Sequence, residues 1–316
     1  MRAAAILGLG ASTHDLTAFH QASRVEWVIG LPAEGKDLDA IVVFGGDGTV
    51  HRHLGALVKL HLPVLVVPAG SGNDFARALG LFKVSDSVAA WQRFVACGKN
   101  VRTIDLGVIT WQEASGRHDL VVDSVATNSD GQDRQRAAYF SCVAGVGLDG
   151  EIARRANALP RWLRAHGGYA LSLPPAVLRF RPFTLKLSAT SSGGTNDSRE
   201  LAPQPVLLAV FANTPVYGDG MKVAPKARMD DGLLDVCIIR DLPKLKLLTV
   251  FPSVYFGRHL AIREVEYFSA ARARVETDRV LDVYADGEYV CRTPVEIGVA
   301  EKTLRVIVPE FTAKAS

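Results

Sequence analysis

Three glycines enclose one aspartate in Gly45-Gly46-Asp47-Gly48-Thr49, directly after the apolar run "AIVVF". An apolar, β-branched run that enters glycines and then a helical pattern reads as a strand, a turn and a helix, and the free N–H groups of a helix start favour an anion. Glycine lets the backbone take positive φ and approach a ligand, so the segment suits a phosphate. A carboxylate beside a polyphosphate is repulsive unless a cation or a hydrogen-bonded donor intervenes, and Asp47 therefore points to Mg2+ or to water in its shell. The spacing alone equally describes a tight turn with a capping aspartate, with Thr49 capping a helix that begins after it. A second segment, "VLVVPAGSGNDFARALG", repeats the pattern: a strand, the turn Pro68-Ala69-Gly70-Ser71-Gly72, and a helix capped by Asn73 or Asp74. Two such turns after consecutive parallel strands lie where open α/β sheets bind ligands.

Two acidic segments lie further along. "DVYADGEYV" reads as a β-hairpin with an Asp-Gly turn, which makes Asp286 and Glu288 turn and edge residues on spacing alone. "KARMDDGLLDV" places Asp230 and Asp231 before a glycine turn, again an ordinary turn on spacing alone. "GVGLDG" spells GxGxxG but lacks a βαβ frame, and His51 and His53, two apart on a predicted helix, point in different directions. No GxxxxGK[ST] segment occurs, which excludes a P-loop kinase.

The elements that must position these residues fall into two styles. Up to about residue 105, the runs "AAAILGL", "VEWVIGL", "AIVVFGG" and "PVLVVPA" suit buried parallel strands, with helices expected at Asp15–Ala22, Thr49–Leu60, Asp74–Leu79 and Ser85–Cys97. Beyond it, short strands separated by turn residues predict an antiparallel domain, interrupted by helix at Glu151–Leu178 and Lys244–Leu260. The loops "TNSDGQDRQRA" and "SSGGTNDSRE" read as exposed hairpin tips. A length of 316 residues with 48% hydrophobic content suits two cores. The net charge of +3 provides no arm for coating nucleic acid. Cys97, Cys142, Cys237 and Cys291 show no ligand spacing, as in a reduced cytoplasmic protein. "MRAAAILGLGA" reads as a first buried strand rather than a signal peptide, and no apolar run of about 18 residues spans a membrane. Any membrane contact is therefore expected to be peripheral.

The pair GGDGT and PxGSGNDFAR resembles the catalytic domain of the diacylglycerol kinase family, which includes bacterial lipid kinases and is related to the sphingosine and ceramide kinases. NAD kinases share the first motif but not the second. "IDLGVI", "CVAGVGLDGEIARR", "FANTPVYGDGMKVAPKARMDDGLLDV", "GRHL" and "DGEYV" follow in the family's order, so the resemblance covers nearly the whole chain. It implies an α/β plus β fold: a Rossmann-like, NAD kinase/diacylglycerol kinase-like α/β domain over residues 1–105, then a β-sandwich-like antiparallel domain over 106–316. The second domain completes the active site, and the extreme C-terminus is placed to pack back on the first.

The activity implied is an ATP-dependent, Mg2+-requiring lipid kinase that moves the γ-phosphoryl group to the hydroxyl of a lipid alcohol such as diacylglycerol or a sphingoid lipid. Gly45, Gly46, Asp47, Gly48 and Thr49 are carried over as ATP-site residues, joined by Ser71 and Asn73, and Asp47 counts among the catalytic residues. Glu288 looks like the general base, and Asp286 like a partner for catalytic Mg2+ or the acceptor. A structural Mg2+ is implied at the Asp231 carboxylate and the carbonyls near Arg228 and Leu233, with Asp105 linking that site to the nucleotide cleft through water. The implied partners are a lipid and the inner face of the membrane, not nucleic acid; a homodimer is compatible. The family usually opens with an Asn-Pro loop after its first strand and a Thr after its second, where this chain has "ILGLGASTHD" and "VEWVIGLP". Two rivals are a kinase of a soluble acceptor, as in NAD kinases, and a non-catalytic nucleotide- or lipid-binding module. Arg154, Arg155, Arg161 and Arg164 read as a solvated helix face or as contacts to anionic headgroups. "LKLLTVFPSVYF" reads as core, acceptor groove or bilayer contact.

Overall fold

Continuous apolar runs form the first layer because parallel strands are buried on both faces. In the computed structural model β1 (Arg2–Leu7), β2 (Glu26–Ile29), β3 (Ala40–Gly45) and β4 (Val64–Pro68) pair in parallel in the order β4-β3-β1-β2. Around them lie α1 (Thr17–Ala22), α2 (Asp47–Leu60), α3 (Asp74–Ala78) and α4 (Val84–Cys97). A 3-10 turn at Thr13–Leu16 precedes α1, so the helix expected from Asp15 starts as a tighter coil. Phe19 of α1 meets Phe44 edge to face at 5.2 Å and Trp91 of α4 at 6.5 Å, which ties two helices to the sheet. The structure describes residues 1–22, 25–112, 125–127, 135–160, 168–191, 198–218 and 220–309.

The chain divides into two compact units, one of residues 1–104 with 302–309, the other Asp105–Glu301. The second contains most of β5 (Val101–Gln112), then β6 (Val125–Thr127), β7 (Gln135–Phe140), β8 (Val143–Gly147), α5 (Leu148–Ala158) and α6 (Gly168–Arg179). It continues through β9 (Phe183–Thr190), β10 (Ser198–Ala212), β11 (Leu234–Arg240), α7 (Lys244–Val250), β12 (Val265–Ala270) and β13 (Arg272–Thr277). The hairpin β14 (Asp282–Ala285) and β15 (Glu288–Arg292) follows, and then β16 (Val295–Ile307).

Strand β10 shapes this unit. Residues from Ser198 to Val206 pair antiparallel with β9 and Leu208 to Ala212 with β8, while β11 pairs along Val206 to Ala212. The β10–β11 register breaks between Val206 and Leu208, where the other side of β10 passes from β9 to β8. Phe183, Leu185, Phe211, Val236, Val275 and Ile297 fill the core that results. Leu148 and Ile152 of α5, Leu173 and Val177 of α6 and Leu247 of α7 form a second apolar cluster with Leu207.

Two expected helices are shorter than the sequence suggests. The stretch 151–178 contains α5 and α6, and its residues 161–167 lie outside the described part. The expected helix Lys244–Leu260 continues after α7 as two 3-10 segments, Phe251–Phe256 and Arg258–Ala261. Pro252 lacks a donor, and Gly257 is left-handed at φ 67°. The proposed hairpin tips fall largely outside the described residues. In the first unit, Val306 of β16 pairs in parallel with Val64 of β4, and Asn100 Nδ2 donates to the carbonyls of Ala90 and Val308 at 3.0 and 2.8 Å. Among the described residues no helix is long and apolar enough to cross a membrane.

Candidate functional site

The register of β3 and β4 sets the first cluster, because Gly45 lies opposite Pro68 and both strands therefore end at the same level. The α2 helix starts at Asp47, earlier than the sequence suggests, with Gly46 as its N-cap and Thr49 inside the first turn rather than capping it. Gly45, Gly46, Gly48, Gly70 and Gly72 are not among the residues with positive φ; the left-handed residue of the second turn is Asn73, at φ 58°. The glycines serve close approach instead. A Cβ placed on Gly70 would lie 2.3 Å from the Gly46 Cα, so the two turns touch backbone to backbone.

Asp47 joins the same two turns through its side chain. Oδ2 accepts the Asp74 N–H and Oδ1 the Phe75 N–H, both at 3.0 Å, which supplies acceptors to the orphan donors at the start of α3. Asn73 closes its own turn: Oδ1 accepts the Gly70 N–H at 2.8 Å, and Nδ2 donates to the Gly70 carbonyl at 2.7 Å. Asn73 is the N-cap residue of α3, as the sequence leads one to expect, but its side chain makes no cap hydrogen bond. Ser71 stands exposed between them. The divergent start of the chain joins this cluster, since the Gly8 N–H donates to the Phe44 carbonyl at 2.7 Å and a Cβ on Gly8 would lie 2.6 Å from Thr49 Oγ1. Asp74 is buried and pairs with Arg77 at 3.3 Å.

In the second unit the β14–β15 hairpin turns on Asp286 (φ 50°) and Gly287 (φ 82°), the two left-handed residues that such a two-residue turn requires. The Asp286 carboxylate accepts the Ser141 N–H at 2.8 Å, the Ser141 hydroxyl at 3.1 Å, the Cys142 N–H at 2.8 Å and the Val143 N–H at 3.1 Å. Asn157 Nδ2 donates to the Gly287 carbonyl at 2.8 Å, so the turn is held from two sides. Glu288 is exposed as the first residue of β15. The residues alone read Asp286 as a turn residue, and its oxygens anchor the turn that carries Glu288.

Asp105 is buried at 2% exposure; Oδ2 accepts the Gly232 N–H at 2.9 Å, and its own N–H donates to the Met229 carbonyl at 2.7 Å. It therefore grips the turn that carries Asp231. Burial raises the Asp231 pKa above the usual carboxylate range, with smaller contributions from the Asp235 and Asp230 charges, against lowering by the Leu233 N–H at 3.1 Å and the Arg228 charge. The Arg228 side chain pairs with Asp230 at 3.2 Å. Among the described residues no three acidic, His or Cys side chains converge as a metal site. One carboxylate with neighbouring carbonyls remains a donor set that a hard divalent cation accepts alongside water.

Asn213 escaped the sequence reading. It is fully buried, and its Nδ2 donates to the carbonyls of Asp105 and Ser141, both at 3.0 Å, so one side chain links the Asp105 turn to the segment that holds Asp286. The available signal was a single polar residue closing the apolar run "VLLAVFAN". Arg154 and Arg155 both pair with Glu151, at 2.9 and 2.6 Å, while Arg161 and Arg164 lie outside the described residues. In "GVGLDG" the buried Asp149 accepts the Tyr217 hydroxyl at 2.5 Å, within a strand-to-helix turn of the antiparallel unit.

Comparison with known proteins follows the same division. Residues 12–109 match the model of the diacylglycerol kinase catalytic domain, and residues 142–308 match the YegS C-terminal NAD kinase β-sandwich-like domain. A diacylglycerol kinase of Mycobacterium tuberculosis is 32% identical over 277 residues, covering 88% of this chain and 79% of that protein. A diacylglycerol kinase of Bacillus subtilis is 24% identical over 314 residues, covering 97% and 88%. The fold is also similar to the crystal structure of a diacylglycerol kinase from Bacillus anthracis, with a TM-score of 0.64, 16% identity and coverage of 97% and 96%.

Proposed function

The chain belongs to the diacylglycerol kinase catalytic-domain family and is a kinase that draws its phosphoryl group from ATP, and on that premise we propose that it phosphorylates the hydroxyl of a lipid alcohol of the diacylglycerol type. The observation that carries the reading is the Asp47 carboxylate, which joins the turn after β3 to the start of α3. It fixes the spacing between the turn after β3 and the start of α3, the two segments that would hold an extended triphosphate between them. Gly45, Gly46, Gly48 and Thr49 line the first turn, and Ser71 offers a hydroxyl from the second, which Asn73 holds closed.

Glu288 takes the proton of the acceptor hydroxyl as its oxygen attacks the γ-phosphorus and ADP leaves. An exposed carboxylate on a rigid hairpin suits that role, and Asp286 and Asn157 supply the rigidity. Asp231, with the carbonyls of Arg228 and Leu233, would hold Mg2+ in a turn that Asp105 fixes. That Mg2+ would be structural, whereas a separate Mg2+ bound with ATP would offset the phosphate charge. The substrate reaches the enzyme at a membrane surface, a diacylglycerol being insoluble in water.

The test is transfer of label from γ-labelled ATP in the presence of Mg2+, with vesicles containing diacylglycerol or a sphingoid base, or with soluble NAD. Label is expected in diacylglycerol; label in NAD instead would refute the lipid assignment. Glu288→Gln should abolish turnover while leaving thermal unfolding and nucleotide binding as in the wild type. Full activity in that variant would remove Glu288 as the base.

A further inference from the structure

Helix α6 is apolar on both faces. Leu173, Ala176 and Val177 face the protein core, yet Leu171 (54% exposed), Pro174, Pro175 and Leu178 (60% exposed) form a solvent-facing stripe at helical spacing. A surface helix normally presents charged or polar residues there. The stripe extends onto α7, because Lys244 Nζ donates to the Leu178 carbonyl and sets Leu245, 75% exposed, beside the end of α6. It extends a second way through Arg279, whose guanidinium donates to the carbonyls of Pro182 at 2.9 Å and Arg181 at 2.6 Å and so brings the exposed Val280 to the same end. Arg179, Arg181, Lys244 and Arg279 are exposed around these residues, with Asp278 standing 4.0 Å from Arg279.

We propose that this face, formed by α6, the start of α7 and the 278–280 turn, is the surface by which the protein docks on an anionic lipid bilayer. The inference deepens the lipid-kinase reading and rests on it for the claim that the enzyme needs a bilayer at all. Apolar side chains without polar neighbours in the stripe gain by entering the acyl boundary, and a fringe of cations matches anionic headgroups. Neither signal alone holds a protein at a membrane firmly; together they do. The arginines Arg154 and Arg155 contribute little, because Glu151 already pairs with both.

The experiment is co-sedimentation of the full chain, without ATP, with phosphatidylcholine vesicles that contain or lack phosphatidylglycerol. The wild type should sediment with the anionic vesicles, less so as salt rises, and weakly with phosphatidylcholine alone. Leu178→Asp with Leu245→Asp should lower partitioning by on the order of tenfold or more. Arg179→Gln with Arg181→Gln should lower it by roughly tenfold on anionic vesicles and leave phosphatidylcholine binding unchanged. Both variants should phosphorylate a short-chain, water-soluble diacylglycerol at the wild-type rate. A wild type that stays in the supernatant, or variants that bind as well as the wild type, would overturn the docking face. So would a wild-type dimer that Leu178→Asp with Leu245→Asp turns into a monomer, since the face would then belong to a second copy. Failure of the kinase reading is distinguishable, because no acceptor would be labelled while vesicle binding still answered for the face.

Discussion

Replacing Asp47 with asparagine isolates what its carboxylate does. The wild-type side chain presents two equivalent oxygens, one to each N–H of Asp74 and Phe75 at 3.0 Å. Asparagine offers one oxygen and one NH2 group, so one bond is lost and a donor is turned toward a donor. A hydrogen bond to a charged acceptor contributes about 1.5–3 kcal/mol, and the unsatisfied N–H adds to the loss. The negative charge beside the start of α3 adds less, about 0.3–1 kcal/mol. The first unit should therefore lose about 2–4 kcal/mol, lowering its melting temperature by roughly 8–17 °C. Circular dichroism during heating reads the stability, and calorimetric titration with a non-hydrolysable ATP analogue reads the affinity. Both should fall together, because the same two bonds hold the α3 start and the turn spacing. A variant that binds nucleotide poorly yet unfolds at the wild-type temperature would refute the latch and return Asp47 to direct contact with nucleotide or metal.

Three further outcomes are expected. Gly70→Ala places a methyl group 2.3 Å from the Gly46 Cα, so the turns must part, which costs about 1–3 kcal/mol by urea denaturation and weakens nucleotide binding. Asn213→Ala leaves the carbonyls of Asp105 and Ser141 without its donor, a loss of about 1–3 kcal/mol for each, and slows turnover more than it weakens nucleotide binding. Burial holds His259 below its ordinary value of 6.5, despite its bond to the Val223 carbonyl at 3.0 Å, and its buried Nδ1 has no partner among the described residues for an added proton. Because the folded pKa is depressed, the unfolded chain takes the proton first. Stability is thus complete above pH 6.5 and declines as pH falls toward the lowered value, so urea midpoints should drop on acidification and His259→Gln should flatten the slope.

Local chemistry made parts of the molecule legible. The Asp286-Gly287 turn was readable because only a few residue types adopt two successive left-handed conformations, and "ADGE" carries that requirement in the chain itself. The parallel strands were readable from unbroken apolar runs. The glycines of the two turns were found by position, but the positive φ expected of them is absent, and the close approach between Gly46 and Gly70 depends on the partner turn, which no local pattern reveals. The passage of β10 from β9 to β8 was hidden likewise, since it is decided by neighbours far along the chain. Asn213 was missed for the same cause, as both of its acceptors are remote in sequence. The start of α2 was off by two residues, where glycine, a poor helix former, sits inside the helix as Gly48.

The return of residues 302–309 to the first unit bears on how the protein is born. Strand β4 emerges early from the ribosome, but its parallel neighbour, which includes Val306, is translated only after the whole Asp105–Glu301 insertion. At about 5–20 residues per second that delay is roughly 10–40 s, during which the β4 edge lacks its final partner. A nascent first unit must therefore wait for a strand made after the whole insertion, and a ribosome stalled anywhere in the insertion would release a fragment with a sticky edge rather than a finished first unit.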